Sequence, residues 1–320
     1  MGSLTLYLQD AFAEHCPKGW VCRREAALVG PEASARLGFA PRVDVVLEQA
    51  TTSRRVWIEF EVSRADPVAN HAKFATARFL EREGRDSDAF VSMASRHIVP
   101  GRLALAAGTA MLMRSVGIAA FQVDLLPAFD GDSIKRLNAR PITAGAQLDV
   151  PSEIDRALKV SDAEVVGAEH RIHKADNAFA VAVSVRQWNA DMRQPRMASL
   201  WGRRRVGYFV YDRISKLFAP SKFCAFVPTV GTVSTSKLPE LMQGRPAGMT
   251  MTVYAMLGED DPRFDGRIAW RHLQDALGYD VVALDNADPD LRSRFETWHL
   301  QNAESVHVRG PATILVPPIR

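Results

Sequence analysis

The stretch that decides the fold is RRVWIEFEVSRADPVANHAKF, residues 54–74. Its first half alternates large apolar residues with Glu59 and Glu61, which is typical of a strand whose two carboxylates share one face. Its second half has the signals of a helix start, with Asp66 as the N-cap and Pro67 at the first helical position. The stretch therefore predicts a core strand that carries two acids and leads directly into a helix.

Asp44 adds a third carboxylate on the preceding strand. The segment RVDVVLEQ, residues 42–49, is typical of a strand and embeds Asp44 between Val43 and Val45. If the two strands form a hairpin, Asp44 and Glu59 lie side by side. Unpaired buried carboxylates and close like charges both cost free energy. A divalent cation relieves both costs, and hard oxygen ligands suit magnesium, so the pattern favours a Mg²⁺ site.

The helix that follows the second strand offers polar side chains to these acids. Asn70 and Lys73 are three residues apart, so they share one face of the helix. The apolar stripe predicted for the same helix consists of Val68, Ala72, Ala75 and Phe79. We therefore expect Asn70 and Lys73 to point back towards the carboxylates.

The elements around this core alternate between helices and strands. A helix is predicted at 3–15 and another at 101–115, with strands at 88–95 and 117–126. Residues 20–29 fit either a strand or a helix. This order predicts an α/β (α+β) layer architecture with a mixed sheet.

A length of 320 residues fits one large domain or two ordinary ones, and the change of pattern after residue 126 favours two. The first domain is assigned to 1–126. Residues 127–165 are rich in turn formers and lack periodicity, so they are predicted to be a linker or a long excursion. A second mixed domain is assigned to 166–320, with helices at 266–278 and 288–302.

Short strand-like runs are the main signal in this second domain. The predicted strands are AFAVAVSV (178–185), VGYFVYD (206–212), FCAFVPTV (223–230), TMTVYAML (250–257), DVVALD (280–285) and ATILVPP (312–318).

Composition excludes several classes of protein. The chain is 47% hydrophobic and 24% charged, as in globular proteins, and its net charge is only +3. Its three cysteines form no CxxC motif, which argues against a disulfide scaffold and fits a reducing cytoplasm. The N-terminus lacks the basic region of a secretory signal. The longest apolar run, 103–113, is too short to span a bilayer, so a soluble cytoplasmic protein is expected.

A basic and aromatic segment covers residues 186–222, whereas 259–304 is acidic. Such polarisation within one half of a chain favours nucleic-acid binding more than the net charge does. Basic side chains supply phosphate contacts, and aromatic side chains supply stacking. The residues predicted to contact DNA are Arg203, Arg204, Arg205, Lys222 and, near the carboxylates, Asn70. The aromatic residues of a run such as 206–212 could equally form a core strand.

The motif formed by Asp44 in RVDVVL and Glu59 in EFE resembles that of the PD-(D/E)XK nuclease superfamily, and so does the order of elements over residues 3–126. The resemblance implies a mixed central sheet flanked by helices and a Mg²⁺ site on Asp44 and Glu59. An acid from the first helical region is also common in the family. Glu25 is the candidate for this third ligand, and Glu14 is its competitor.

The sequence departs from the family at Glu61, where lysine is usual. Some type II restriction endonucleases of the superfamily carry Glu-x-Glu at these positions. Others move the lysine onto the helix, which would make Lys73 the substitute. The catalytic residues implied by the resemblance are thus Asp44, Glu59, Glu61 and Lys73.

The function implied by the resemblance is that of a Mg²⁺-dependent double-stranded DNA endonuclease of the restriction or phage-defence kind. Such enzymes often act as homodimers, so a homodimer is a possible form. Two alternatives remain open. One is a non-catalytic DNA-binding protein on a decayed nuclease fold, and the other is an RNA or branched-DNA nuclease.

Overall fold

The computed structural model describes residues 2–63, 66–81, 87–115, 118–142, 148–162, 164–167, 170–195, 198, 203–221, 225–228, 249–252 and 266–318. The chain divides into two compact units, Met1–Asp162 and Ala163–Arg320. Both units combine strands with helices, so the predicted mixed α/β class is confirmed. Each unit is described by itself.

The first unit is built on one five-stranded sheet, and its strands lie in the order of the sequence. The first three strands pair antiparallel, and the last two add parallel to the third. The strands are β1 (Trp20–Ala27), β2 (Arg42–Gln49), β3 (Arg55–Glu61), β4 (Asp88–Ser95) and β5 (Ala119–Leu125). The segment 20–29, which was ambiguous in sequence, is thus a strand over most of its length.

Helices cover both faces of this sheet. They are α1 (Ser3–Glu14), α2 (Pro31–Leu37), α3 (Val68–Leu80), α4 (Pro100–Ser115), α5 (Gly131–Ala139) and α6 (Val150–Val160). Strand alternation explains the two layers. Ile58 of β3 packs in one core with α1, α5 and α6, whereas its neighbour Trp57 packs in the other with α3 and α4.

The linker predicted at 127–165 is replaced by two helices of the first unit. Ile134 of α5 and Ile154 of α6 are buried in the same core as α1. Asp130 and Asp149 cap these helices by accepting backbone N–H groups. Residues 131–160 are therefore not a linker, a point that the sequence missed because short capped helices with small apolar faces show little periodicity. The boundary between the units falls after residue 162, within the predicted window of 127–165.

The buried face of α3 differs from the predicted stripe. The residues of this helix that are buried are His71, Phe74 and Ala77, while Phe79 is 68% exposed. Phe74 stacks on Phe90 of β4, with ring centroids 4.8 Å apart. The large aromatic side chain fixes which face meets the sheet, and the alanines of the predicted stripe could not.

Eight strands are described in the second unit, namely β6 (Glu164–Gly167), β7 (His170–His173), β8 (Arg204–Asp212), β9 (Leu217–Pro220), β10 (Ala225–Pro228), β11 (Met249–Thr252), β12 (Asp280–Ala283) and β13 (Val306–Val316). These described strands form two four-stranded sheets, with the orders β10-β11-β7-β6 and β12-β13-β8-β9. The helices Gly266–Leu277 and Pro289–Gln301 confirm the predictions for 266–278 and 288–302.

The run AFAVAVSV is a helix rather than the predicted strand. It opens α7 (Ala178–Met192), whose N-cap Asn177 accepts the backbone N–H of Ala180 at 2.9 Å. Val181, Val185 and Trp188 are buried at helical spacing. A short apolar run fits a strand or a buried helix equally well, and here the cap and the polar continuation decide.

Aromatic residues of the basic segment form the core of the second unit. Trp188, Phe209 and Phe218 are almost fully buried, and they pack with Phe295 and Trp298. These three rings therefore belong to the core and are not surface stacking platforms. None of the helices described above is long and apolar enough to cross a membrane.

Candidate active site

Three carboxylates lie in a row across β1, β2 and β3. The register of β1 against β2 places Glu25 opposite Asp44. The β2–β3 register, continued by one residue beyond the pair Val45↔Ile58, places Asp44 opposite Glu59. Glu25, Asp44 and Glu59 are called the carboxylate row below. The hairpin expected from the sequence thus brings Asp44 and Glu59 together.

Asp44 is held in the middle of the row by two hydrogen bonds. Its Oδ2 accepts the backbone N–H of Phe60 at 2.8 Å, and its Oδ1 accepts Nε2 of Gln9 at 3.0 Å. The carboxylate therefore satisfies a strand N–H of β3. Burial raises the pKa of Asp44, although these two hydrogen bonds act in the opposite direction.

Glu59 is buried beside a single cation. Its side chain is 5% exposed, and Nζ of Lys73 lies 2.6 Å from its Oε1. This distance is that of an ion pair, although the contact lacks the direction of a hydrogen bond. Burial, followed by the charge of Asp44, raises the pKa of Glu59 to about 8 despite Lys73. The ionised form of Glu59 is therefore unfavourable in the fold, and Lys73 compensates it only in part.

Glu61 lies two residues further along β3 and is 6% exposed. Its Oε1 accepts Nδ2 of Asn70 at 2.9 Å. Burial is the largest cause that raises the pKa of Glu61, and the charge of Asp44 adds to it. The expectation that Asn70 and Lys73 point from α3 towards the acids is confirmed. The structure also places the positive charge of the site on Lys73, because Glu61 brings none.

Gln9 belongs to the site and was missed in the sequence. It is 4% exposed on α1, and its Nε2 donates to Oε1 of Glu25 at 2.7 Å as well as to Asp44. Its only signal in the sequence is a polar residue within the apolar stripe of α1, between Leu8 and Phe12. The competitor Glu14 is exposed in the last turn of the same helix.

Glu25 occupies β1 in an unusual backbone conformation. Its φ is +47°, in the left-handed region that non-glycine residues rarely adopt. Nη1 of Arg42 donates to the backbone carbonyl oxygen of Glu25 at 3.0 Å. Strain of this kind persists only where neighbouring groups hold it, and it clusters at functional sites.

The residue types at the site are suitable ligands for a magnesium ion. Among the described residues, no group of three or more His, Cys, Asp and Glu is arranged to hold a metal ion, so the predicted set of Asp44, Glu59 and Glu25 is not assembled as such a group. Mg²⁺ usually needs only one or two carboxylates and completes its shell with water and substrate phosphates. Asp44 and Glu59 supply such oxygens. Mg²⁺ itself stays a prediction.

Three of the predicted DNA contacts lie around the start of β8, where Arg203 directly precedes the strand and Arg204 and Arg205 begin it. Arg203 and Arg205 are exposed there. Lys222 and the side chain of Arg204 lie outside the described residues. DNA contact by these residues, and by Asn70, therefore stays a prediction.

No protein-family model, curated protein or solved structure matches the chain. The resemblance to PD-(D/E)XK nucleases thus rests on the site residues and on the order of elements around them.

Proposed function

We propose that the protein is a Mg²⁺-dependent endonuclease that hydrolyses phosphodiester bonds of double-stranded DNA, in restriction or phage defence. One observation carries the proposal. Asp44 lies beside Glu59 where β2 pairs with β3, and Lys73 contacts Glu59 from the next helix. This combination of two oxygen ligands and an ammonium suits the binding and cleavage of a phosphodiester.

The roles of the residues follow from their positions. Asp44 and Glu59 would hold Mg²⁺, which when bound stabilises negative charge on the transition state and lowers the pKa of water. Lys73 would move from Glu59 to the scissile phosphate or orient the attacking water. Glu61, fixed by Asn70, would position water on the same face of β3. By the resemblance, the products are a 5′-phosphate and a 3′-hydroxyl.

Recognition of DNA is assigned to the second unit. The exposed Arg203 and Arg205 would contact backbone phosphates, together with Arg204 and Lys222. Phosphate contacts of this kind position a protein on the duplex without reading its sequence. A homodimer would place two such sites on the two strands.

A non-catalytic DNA-binding protein is the second candidate. It is favoured by the raised pKa of Glu59, about 8, which burial and the charge of Asp44 cause against the opposing effect of Lys73. A protonated Glu59 cannot serve as a metal ligand until a cation displaces its proton. The two candidates differ in whether DNA is cut when Mg²⁺ is supplied.

The test is incubation of the purified protein with plasmid and phage DNA, in Mg²⁺ or in EDTA. We expect cleavage in Mg²⁺ only, and its loss in Asp44→Asn with DNA binding retained. Glu48→Gln is the matched control, because Glu48 lies on the same strand and pairs with the exposed Arg23 away from the site. Binding without cleavage by the wild-type protein, on unmodified and modified DNA alike, would favour the non-catalytic candidate. RNA and branched DNA in the same assay separate the remaining alternative.

A further inference from the structure

Gln9 fills one of the two gaps in the carboxylate row. Asp44 has Glu25 on one side and Glu59 on the other. In the gap towards Glu25, the Nε2 of Gln9 lies 3.0 Å from Asp44 and 2.7 Å from Glu25. A single amide nitrogen thus gives one hydrogen to each carboxylate, which is the place that a bridging cation would otherwise take.

The amide cannot easily leave this gap. Gln9 is 4% exposed, and its neighbours Leu8 and Phe12 on α1 are fully buried. Phe12 packs edge-on against Phe60 of β3, with ring centroids 4.9 Å apart. The helix is therefore anchored on the sheet on both sides of Gln9. Displacing the amide would also leave a buried polar group without its partners, which costs free energy.

The gap towards Glu59 has a different character. Lys73 contacts Glu59 from α3 and is itself partly exposed, with 22% of its side chain accessible. A long, flexible ammonium side chain can move away when a cation or a phosphate arrives. One side of Asp44 is thus closed by a fixed neutral amide, and the other is closed by a movable charge.

We propose that Gln9 is a positioning residue that restricts the site to one divalent cation, held on the Glu59 side of Asp44. The proposal rests on the proposed function. Gln9 holds Asp44 and Glu25 side by side without bringing a negative charge. Glu25 then serves as a partner of Gln9 and does not ligate the cation. Replacing the amide with a carboxylate converts the closed gap into a second cation site.

The experiment is titration of Mn²⁺ by calorimetry into the full-length protein at neutral pH. We expect one Mn²⁺ per chain for the wild type and two for Gln9→Glu, with a spin-coupled Mn²⁺ pair in the paramagnetic resonance spectrum of the variant. Adding Glu25→Gln to Gln9→Glu should return the number to one. Ala13→Glu adds the same charge to an exposed position of α1 one turn later, so it should still bind one.

Either of two binding results overturns the proposal. One is a wild-type protein that already binds two Mn²⁺, and the other is Gln9→Glu binding one Mn²⁺ with unchanged affinity. The variant Gln9→Glu could unfold easily in EDTA. In that case, Mn²⁺ must raise the unfolding temperature of the variant more than that of the wild type. An equal or smaller rise also overturns the proposal. A wild type that binds no Mn²⁺ and cleaves no DNA contradicts the proposed function itself, and is thereby distinguished from these results.

Discussion

Glu59 and Asp212 are both buried carboxylates, one in each unit, with side chains 5% and 4% exposed. Asp212 ends β8 and receives Nε of Arg186 at 2.8 Å, the backbone N–H groups of Ile214 and Ser215, and the Ser215 hydroxyl. Burial alone would raise its pKa, but these donors together lower it. Glu59 has one cation and a neighbouring carboxylate, and its pKa is raised to about 8.

This difference distinguishes a carboxylate that stabilises the structure from a carboxylate that is a candidate for chemistry. Asp212 stabilises the turn between β8 and β9. Its carboxylate is already satisfied by hydrogen bonds within the protein, so a ligand would add little stabilisation. The ionised form of Glu59 costs free energy in this fold. A bound cation that replaces the proton would therefore supply the stabilisation of the carboxylate that the fold lacks. Perturbed pKa values of this origin are common at functional sites.

The same substitution at both positions gives the largest expected contrast. Glu59→Gln should lower Mg²⁺-dependent cleavage by about a hundredfold or more, since even outer-sphere partners of metals cost up to about that factor. Asp212→Asn should cleave at the wild-type rate per folded molecule. Initial rates on plasmid DNA measure both. Equal losses of cleavage rate in the two variants would show that Glu59 and Asp212 do not differ in their roles.

The pH dependence of the free energy of unfolding should reveal the raised pKa of Glu59. Its pKa in the folded state, about 8, lies above its ordinary value of 4.5, so the fold binds the proton more tightly than the unfolded chain does. In EDTA, the free energy of unfolding should therefore fall on the order of a few kcal/mol as pH rises from about 4.5 to about 8. Glu59→Gln should remove most of this fall. Urea unfolding at several pH values measures it, and a variant with the wild-type slope would assign the fall to other groups.

Asp212→Asn should give the smallest of the three effects. The amide loses the ion pair with Arg186 and one accepting oxygen, so the second unit should be less stable by about 2 kcal/mol. This cost is reduced because the side chain of Arg186 is 41% exposed. Because the folded pKa of Asp212 is lowered, its stabilisation is present above its ordinary value of 3.8 and lost as pH falls further. Urea unfolding near neutral pH measures the loss, and an unchanged midpoint would mean that the turn holds without the charge.

The local sequence pattern predicted the centre of the site. Its residues are either close together in the sequence or placed by the regular repeat of a strand or a helix. Alternation along β3 places Glu59 and Glu61 on one face, and a three-residue spacing on α3 brings Asn70 and Lys73 to them. Pairing of β2 with β3 then adds Asp44 across a short turn. Each step needs only the geometry of one strand or one helix.

Gln9 could not be found in this way, because its role depends on how α1 packs across the sheet. Its partner Asp44 is 35 positions away in sequence. The two helices between 127 and 162 and the helix α7 were missed for a related reason. In each case, capping residues such as Asn177 and burial in a distant core decide the structure, and the local apolar pattern leaves it open.

The register of β2 against β3 has a consequence for how the chain tolerates changes in length. Asp44 meets Glu59 only because the two strands pair without slippage, and a shift by one residue would turn either acid to the opposite face. The turn at residues 50–54 lies outside this constraint, and its Ser53 already adopts a left-handed conformation. Insertions should accumulate in that turn, whereas a single deletion within either strand would dismantle the site even if the sheet survived.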